Sequence, residues 1–345
     1  MSTWPDFLRQ QGAQLVDDVV QHFGDPSAER LATQNATVVC DLSQFGLLRV
    51  AGEEAQTFLQ NLLSNDIREV SPARAQLSSL NTPKGRILAT FLIYRDGGDY
   101  LLQLPRALCD TIRKKLSMYV LRSKVKISDA GTERVLLGLA GESAQAILAG
   151  QTGGALPQHV LDAVAGEPVT LVKTGDTRFL LVLPADAAPS VWQNLSALAK
   201  PVGSACWDWL DIHAGIPVIL PATQEQFVPQ MANLEVIGGV NFKKGCYPGQ
   251  EIVARMQYLG KPKRRMYLAH VDGPAAPQAG DELFSTDMEG QSSGMVVNAT
   301  AAPQGGYDLL AVVQCASHDA HPLHLGAISG ARLQFQPLPY PLPQN

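Results

Sequence analysis

The stretch that most constrains the interpretation of this chain is Lys244-Gly245-Cys246-Tyr247-Pro248-Gly249-Gln250-Glu251-Ile252-Val253-Ala254-Arg255. Pro248 suits the first position of a helix, and Gln250 and Glu251 would then fall in the first turn, where the helix dipole favours acidic groups. Ile252 and Val253 supply an apolar face for that helix. The stretch therefore predicts a helix that begins just after Cys246.

Cys246 is the candidate functional thiol. Unpaired backbone N–H groups at a helix start and the ammonium groups of Lys243 and Lys244 all favour a thiolate. Gly245 and Gly249 leave room for a ligand to approach the backbone. A nucleophile, a redox thiol and a transient metal ligand all need this setting. The alternative is a cysteine that merely fills space in a turn.

The other cysteines lie beside apolar residues and are predicted to be buried packing residues; they are Cys40, Cys109, Cys206 and Cys315. The total is odd and no CxxC pair occurs, which argues against a disulfide framework or a zinc knuckle. Three histidines between residues 318 and 324 lack a cysteine or second cluster to complete a ligand set. We therefore predict reduced thiols and no permanently bound metal.

The composition predicts folded domains, because 46% of the residues are hydrophobic and only 17% are charged. A net charge of −5 argues against a general nucleic-acid coat protein, and direct nucleic-acid binding is not expected. The basic run at residues 261–265 could contact RNA or an acidic partner, or simply be a solvated linker. The start resembles no signal peptide and no run of ~18 apolar residues occurs, so we expect a cytoplasmic protein without a membrane segment.

The periodicity predicts an α+β fold, because strands and helices mix without a βαβ rhythm. Residues 5–23 carry apolar positions at helical spacing and are predicted to form one helix. Antiparallel strands are predicted at residues 76–80, 86–94 and 100–104, with a hairpin turn at 95–99. Residues 133–200 repeat this mixture, and the chain beyond Tyr267 has only short alternating segments, which predicts a small all-β domain.

The stretch from Lys244 to Arg255 closely resembles the signature of the YgfZ family. Residues 215–219, 226–230, 233–234 and 238–242 match flanking family segments, and the order agrees from about residue 38 to the end of the chain. The resemblance implies a folate-binding relative of the aminomethyltransferase (T-protein) of the glycine cleavage system. It also implies three domains in a ring around a folate channel.

From the resemblance we expect a discontinuous folate-binding domain at residues 1–47 and 133–258, which carries the cysteine segment. A second α+β domain is expected at 48–132 and a C-terminal β-barrel at 259–345. The cofactor would be tetrahydrofolate or a derivative. The partners would be iron–sulfur proteins or their assembly factors, with an indirect effect on tRNA-modifying enzymes.

The resemblance also assigns candidate folate-binding residues. Phe45 and Trp207 fall at aromatic positions that line the family's folate site, and aromatic faces suit a flat pterin or aminobenzoyl ring. Lys84 and Arg86 could pair with the carboxylates of a folate glutamate tail, or be a solvated strand end. Around Cys246 the supporting residues would be Lys244, Gly245, Tyr247, Gly249, Gln250, Glu251 and Arg255.

The chain departs from T-proteins at two positions. Ala89 and Thr90 stand where a T-protein carries acidic residues, and Phe179-Leu180-Leu181 replaces a second carboxylate. Without a carboxylate to steer proton transfer, aminomethyl transfer is not expected. Whether the protein is an enzyme is left open at this point.

Three hypotheses follow. The first is a folate-dependent accessory factor for iron–sulfur proteins that acts through Cys246. The second is a folate-dependent one-carbon (aminomethyl) transferase, and the third is a non-catalytic tRNA- or protein-binding module that uses the basic run.

Overall fold

The computed structural model describes residues 3–152 and 154–343. The helices are α1 Trp4–Gln10, α2 Pro26–Asn35, α3 Ala55–Gln60, α4 Arg106–Val120, α5 Ala144–Thr152, α6 Ala188–Ser196, α7 Ser204–His213, α8 Gln250–Leu259 and α9 Cys315–Ala320. The strands are β1 Gln14–Val16, β2 Val19–His22, β3 Val38–Asp41, β4 Phe45–Ala51, β5 Gln76–Asn81, β6 Ile87–Asp96, β7 Asp99–Pro105, β8 Lys126–Asp129, β9 Arg134–Ala140, β10 Ala163–Val164, β11 Thr170–Gly175, β12 Arg178–Pro184, β13 Lys200–Val202, β14 Arg264–Val271, β15 Glu282–Ser285, β16 Ser292–Ala301, β17 Tyr307–Gln314, β18 Leu323–Leu325 and β19 Leu333–Gln336.

The chain forms two compact units. The first unit comprises Met1–Ala55, Arg68–Gln76 and Leu92–Trp207, and the second comprises Gln56–Ile67, Leu77–Phe91 and Asp208–Asn345. The expected domains at 1–47 with 133–258, at 48–132 and at 259–345 stay a prediction. Positions 1, 2, 153, 344 and 345 of those domains lie outside the described residues.

The first unit contains a six-stranded sheet in the order β10-β11-β12-β9-β3-β13. Its pairs are antiparallel except for β3 and β13, which run parallel. Alternate residues of β9 and β12, such as Leu137 and Phe179, are buried with Trp192 of α6 in one apolar core. The residues between them are buried as well, so both strands are near-continuous apolar runs covered on both faces, and each fully buried large apolar side chain contributes about 1.5–3 kcal/mol.

The helix predicted over residues 5–23 is wrong. Helix α1 ends at Gln10, and Gly12 adopts a left-handed φ of +91° that no helix continues through. Strands β1 and β2 follow as a hairpin that pairs Leu15 with Val20. The apolar residues at helical spacing therefore belong to two elements, a short helix and the hairpin that follows it.

The second unit contains a six-stranded antiparallel sheet in the order β18-β15-β16-β17-β14-β19. Alternate residues such as Ala269 and Val271 of β14, and Leu309 and Ala311 of β17, form its core. The all-β character predicted beyond Tyr267 is confirmed, apart from the short helix α9.

A five-stranded sheet has the order β5-β6-β7-β4-β8. The hairpin predicted at residues 95–99 is confirmed, because Asp96 pairs with Asp99 across Gly97-Gly98. The α+β class is confirmed as well.

Within the described ranges, every helix is too short or too polar to cross a lipid bilayer.

Candidate functional site

Cys246 is exposed, whereas Cys40, Cys109, Cys206 and Cys315 are buried as predicted. Helix α8 begins at Gln250 with Gly249 as its N-cap, so Gln250 and Glu251 lie in the first turn. The prediction that Pro248 is the first helical residue is wrong, because Pro248 precedes the cap. The reason is the left-handed φ of +80° at Gly249, which turns the chain just before the helix starts.

Lys244 faces inward and not toward solvent. Lys244 is only 5% exposed, and its Nζ donates hydrogen bonds to the carbonyl oxygens of Gln60 (2.6 Å) and Leu63. Two lysines were expected to favour a thiolate at Cys246. The ammonium group of Lys244 is instead hydrogen-bonded to backbone carbonyls, and Lys243 is exposed. The Lys244 Nζ also lies 5.0 Å from the ring centre of Tyr247, whose burial raises the pKa of its phenol.

The cysteine segment, residues 238–249, rests on residues 60–65, which we call the support segment. Ser64 Oγ donates to the Gly239 carbonyl (2.7 Å) and Asn65 Nδ2 donates to the Gly238 carbonyl (2.7 Å). The Asn241 N–H donates to the Ser64 carbonyl (3.0 Å). With the two Lys244 bonds, these contacts fix the loop ahead of Cys246 at several points. Sequence reasoning missed Ser64 and Asn65, since no local pattern marks them.

The turn that carries Lys84 and Arg86 lies against the start of α8. A Cβ atom on Gly249 would lie 2.4 Å from the Thr82 carbonyl oxygen and 2.5 Å from the Cα of Gly85. Two glycines thus allow the two backbones to touch, which places the Lys84–Arg86 turn beside the cysteine segment. Lys84 is exposed, whereas the Arg86 guanidinium donates to the Gln226 carbonyl (2.5 Å).

The other supporting residues of the signature differ in exposure. Glu251 and Arg255 are exposed on α8 and Gly245 is exposed before it. Gln250 is half-buried, and its N–H donates to the Tyr247 carbonyl (3.2 Å). Tyr247, Lys244 and Gln250 therefore hold the segment, while Gly245, Cys246, Glu251 and Arg255 face outward.

Phe45 and Trp207 both belong to the first unit. Gln44 Nε2 lies 3.5 Å from the Ser204 carbonyl, so the start of β4 is a neighbour of the start of α7. Phe45 is half-buried. Trp207 is 3% exposed, and a Cβ on Gly138 would lie only 2.2 Å from its ring. Their role in ligand binding stays a prediction.

Arg178 is a buried cation that sequence reasoning missed. Its guanidinium carbon lies 4.7 Å from the ring centre of Trp207, in cation–π range, and the residue is 7% exposed. It opens the apolar strand β12, and nothing in the surrounding pattern distinguishes it from a solvated strand end. The Trp207 ring therefore lies beside a positive charge.

Ala89, Thr90 and residues 179–181, the positions at which the resemblance predicts departures from T-proteins, have structural roles. Thr90 Oγ1 donates to the Pro217 carbonyl (3.2 Å) and accepts from the Ile219 N–H (3.4 Å), while Ala89 is fully buried. Phe179, Leu180 and Leu181 are buried in β12. Neither position therefore carries a carboxylate that could take part in proton transfer.

Over the residues that the structure describes, no group of three or more His, Cys, Asp or Glu side chains could hold a metal ion.

Comparison with known proteins connects this geometry to a family. The model of the GCVT N-terminal domain family matches residues 18–244. The chain is 32% identical over 306 residues to the tRNA-modifying protein YgfZ of Klebsiella pneumoniae (strain 342). This alignment covers 87% of this chain and 92% of that protein. It is 31% identical over 305 residues, with the same coverage, to the tRNA-modifying protein YgfZ of Escherichia coli O6:H1.

A solved structure is similar over almost the whole chain. The glycine cleavage system aminomethyltransferase T from Bartonella henselae aligns with a TM-score of 0.80 and 20% identity, covering 98% of this chain and 97% of that chain. At this identity the similarity establishes the fold, which is T-protein-like, as the resemblance to the YgfZ family had implied.

Proposed function

Because the chain belongs to the YgfZ family, we propose that it is a folate-binding accessory protein for the assembly or repair of iron–sulfur clusters, acting through Cys246. Its effect on tRNA modification would be indirect, through tRNA-modifying enzymes that need a cluster. The proposal places it in the cytoplasm, where thiols stay reduced. The observation that carries it is the single exposed cysteine, which lies on a segment anchored by the support segment.

The anchoring supports a chemical role for the thiol. A side chain that acts on a partner must be held in place by its backbone, and the bonds from Ser64, Asn65 and Lys244 supply this. A packing cysteine would instead be buried, as the other four are. Cys246 could therefore reach a partner's cluster or a reactive sulfur species without a change in the fold.

Tetrahydrofolate or a derivative is the proposed cofactor. Phe45 is only half-buried, which supports contact with a flat ring, whereas Trp207 is 3% exposed and lies against Gly138 and Arg178. Folate contact with Trp207 would therefore need movement of the Arg178 guanidinium. The pairing of Lys84 and Arg86 with the glutamate tail stays a prediction, and Arg86 would first have to release the Gln226 carbonyl.

The test is Cys246→Ser in cells that lack their own copy of the gene. We expect normal folding, with an unchanged urea midpoint, but loss of support for a cluster-dependent tRNA-modifying enzyme, measured as the fraction of modified tRNA. Gln257→Ala, at an exposed position of α8, is the control and should keep full support. A Cys246→Ser protein with full support would refute the proposal.

The transferase alternative has a separate test. The absence of a carboxylate at Ala89, Thr90 and residues 179–181 predicts no methylenetetrahydrofolate formation from an aminomethyl donor. Robust turnover in that assay would favour the transferase, while binding of tetrahydrofolate without turnover would agree with the accessory role. Phe45→Ala should weaken that binding, as measured by titration calorimetry.

A further inference from the structure

The outer side of α8 carries large exposed apolar side chains among its charged residues Glu251 and Arg255, where a solvent-facing helix side is ordinarily polar. Ile252 is 40% exposed, Tyr258 68% and Leu259 84%, whereas Val253 on the inner side is fully buried. Ile252, Arg255 and Leu259 follow at three- and four-residue steps and share one side of the helix, with Tyr258 next to them. We call these four residues the α8 face.

The α8 face adjoins the exposed thiol. The rings of Tyr258 and Phe242 lie 6.1 Å apart in an edge-on arrangement, which joins the far end of α8 to the cysteine segment. At the near end, Ile252 packs against the Gly85 turn, because a Cβ on Gly85 would lie 3.1 Å from that of Ile252. A partner seated on the α8 face would therefore lie beside Cys246.

Basic residues predominate in the stretch of chain that carries the α8 face. Residues 241–263 contain five basic residues and one acidic residue, in a chain whose net charge is −5. Lys243, Arg255, Lys261 and Lys263 are exposed, whereas Lys244 is buried. Arg265, the last residue of the basic run, is buried in an ion pair with Glu235, so its charge is not available to a partner at the surface. Charge complementarity therefore calls for an acidic partner.

We propose that the α8 face is the docking surface for an acidic protein with an apolar centre, the partner that Cys246 serves. Protein interfaces combine an apolar centre, enriched in Tyr and Arg, with a charged rim, and this face has both. Ile252 and Leu259 would contribute nothing to contacts with RNA phosphates. A second copy would bring like charges together. The inference rests on the proposed function for the identity of the partner.

A photo-crosslinking residue in the full-length protein tests the proposal in cells. We would place p-benzoylphenylalanine at Tyr258 and, as a control, at Ile328, which is apolar and 43% exposed in the same unit. The expected result is a crosslink from position 258 to a protein of net negative charge, absent from position 328. Crosslinks to RNA, to a second copy, or in equal amount from both positions would overturn the proposal.

The crosslinked protein is then purified and its affinity measured by fluorescence anisotropy. Leu259→Glu should weaken binding about tenfold or more, as expected for a central interface residue. Lys261→Glu with Lys263→Glu should weaken it less and reduce its salt dependence. Ile328→Glu should leave it unchanged. Unchanged affinity for Leu259→Glu would overturn the proposal even if the crosslink forms.

The two proposals can fail separately. Leu259→Glu should lose partner affinity and support for the cluster enzyme while keeping tetrahydrofolate binding. Cys246→Ser should keep partner affinity and lose only the support. If Cys246→Ser keeps the support while Leu259→Glu loses the partner, the role of the thiol fails and the docking surface stands. If Leu259→Glu keeps normal partner affinity while Cys246→Ser is inactive, the docking surface fails and the role of the thiol stands.

Discussion

At the scale of single residues, Gly249 sets the path of the chain from the cysteine segment into α8. Its φ of +80° favours glycine, and the space that a Cβ would occupy is filled by the turn at residues 82–85. Both conditions exclude a side chain, because the atom a Cβ would meet is a backbone carbonyl that cannot move aside. The neighbouring Gly245 has neither restriction.

We therefore expect Gly249→Ala to lower the free energy of unfolding by about 2–3 kcal/mol, from overpacking and backbone strain together. Gly245→Ala should change it by less than about 0.5 kcal/mol, since nothing lies within 4 Å of the added methyl. Urea denaturation of both variants checks this. Equal effects of the two substitutions would contradict the structure.

Lys244 and Lys243 form a second matched pair. Removing the buried ammonium leaves the Gln60 and Leu63 carbonyls without their donor, which should cost about 1–3 kcal/mol in Lys244→Met. The exposed Lys243→Met should stay within about 0.5 kcal/mol of the native protein. Urea midpoints measure both, and a larger loss for Lys243→Met would show that the two roles are assigned the wrong way round.

At the scale of elements, a buried carboxylate joins α7 to strands β14 and β17. Asp308 accepts hydrogen bonds from Trp209 Nε1 (2.7 Å), His213 Nε2 (2.8 Å) and His270 Nδ1 (2.7 Å). Burial alone would raise the pKa of Asp308, but these donors outweigh it and lower the pKa. The pKa of His270 is raised: burial opposes this, and hydrogen bonds to Asp308 and Asp272 outweigh it.

This cluster predicts a pH-dependent stability. A histidine whose folded-state pKa is raised contributes stability below its unfolded value near 6.5, and that contribution is lost as pH rises through the folded value. We expect His270→Gln to cost about 1–3 kcal/mol at pH 6 and less at pH 9. The difference should also shrink in strong acid, where Asp308 protonates. Urea titrations across this range measure it, and a difference that grows with pH would contradict the assignment.

At the scale of the whole molecule, the fold separates one thiol from the other four. Cys246 is exposed and the remaining cysteines are buried. Burial also raises the pKa of Cys109 to about 12, which keeps that thiol protonated. The fold therefore protects four thiols and presents one.

We expect one thiol per folded chain to react rapidly with an aromatic disulfide reagent, and five in guanidinium chloride. Cys246→Ser should abolish the rapid phase and leave four thiols after unfolding. Absorbance of the released thiolate counts them directly. A second rapid thiol in the native protein would contradict the described burial.

The local elements follow from the sequence, with instructive exceptions. Hairpin β6–β7 lies where alternation and turn residues predict it, because both signals act within a few residues. The prediction for residues 5–23 failed, because spacing alone could not separate a helix from a helix followed by a hairpin. Gly12 was the signal that could have divided it.

The sequence by itself determined the α+β class, the hairpin at residues 95–99 with its two strands, and Cys246 as the candidate thiol, since these depend on side-chain periodicity and on a local run of residues. Only the tertiary structure decided that Lys244 points inward, that Ser64 supports Gly239 across 175 positions, and that α8 exposes Ile252, Tyr258 and Leu259. Such contacts join residues far apart in the chain, and their energies depend on the surroundings that folding creates. No local pattern of residues encodes them.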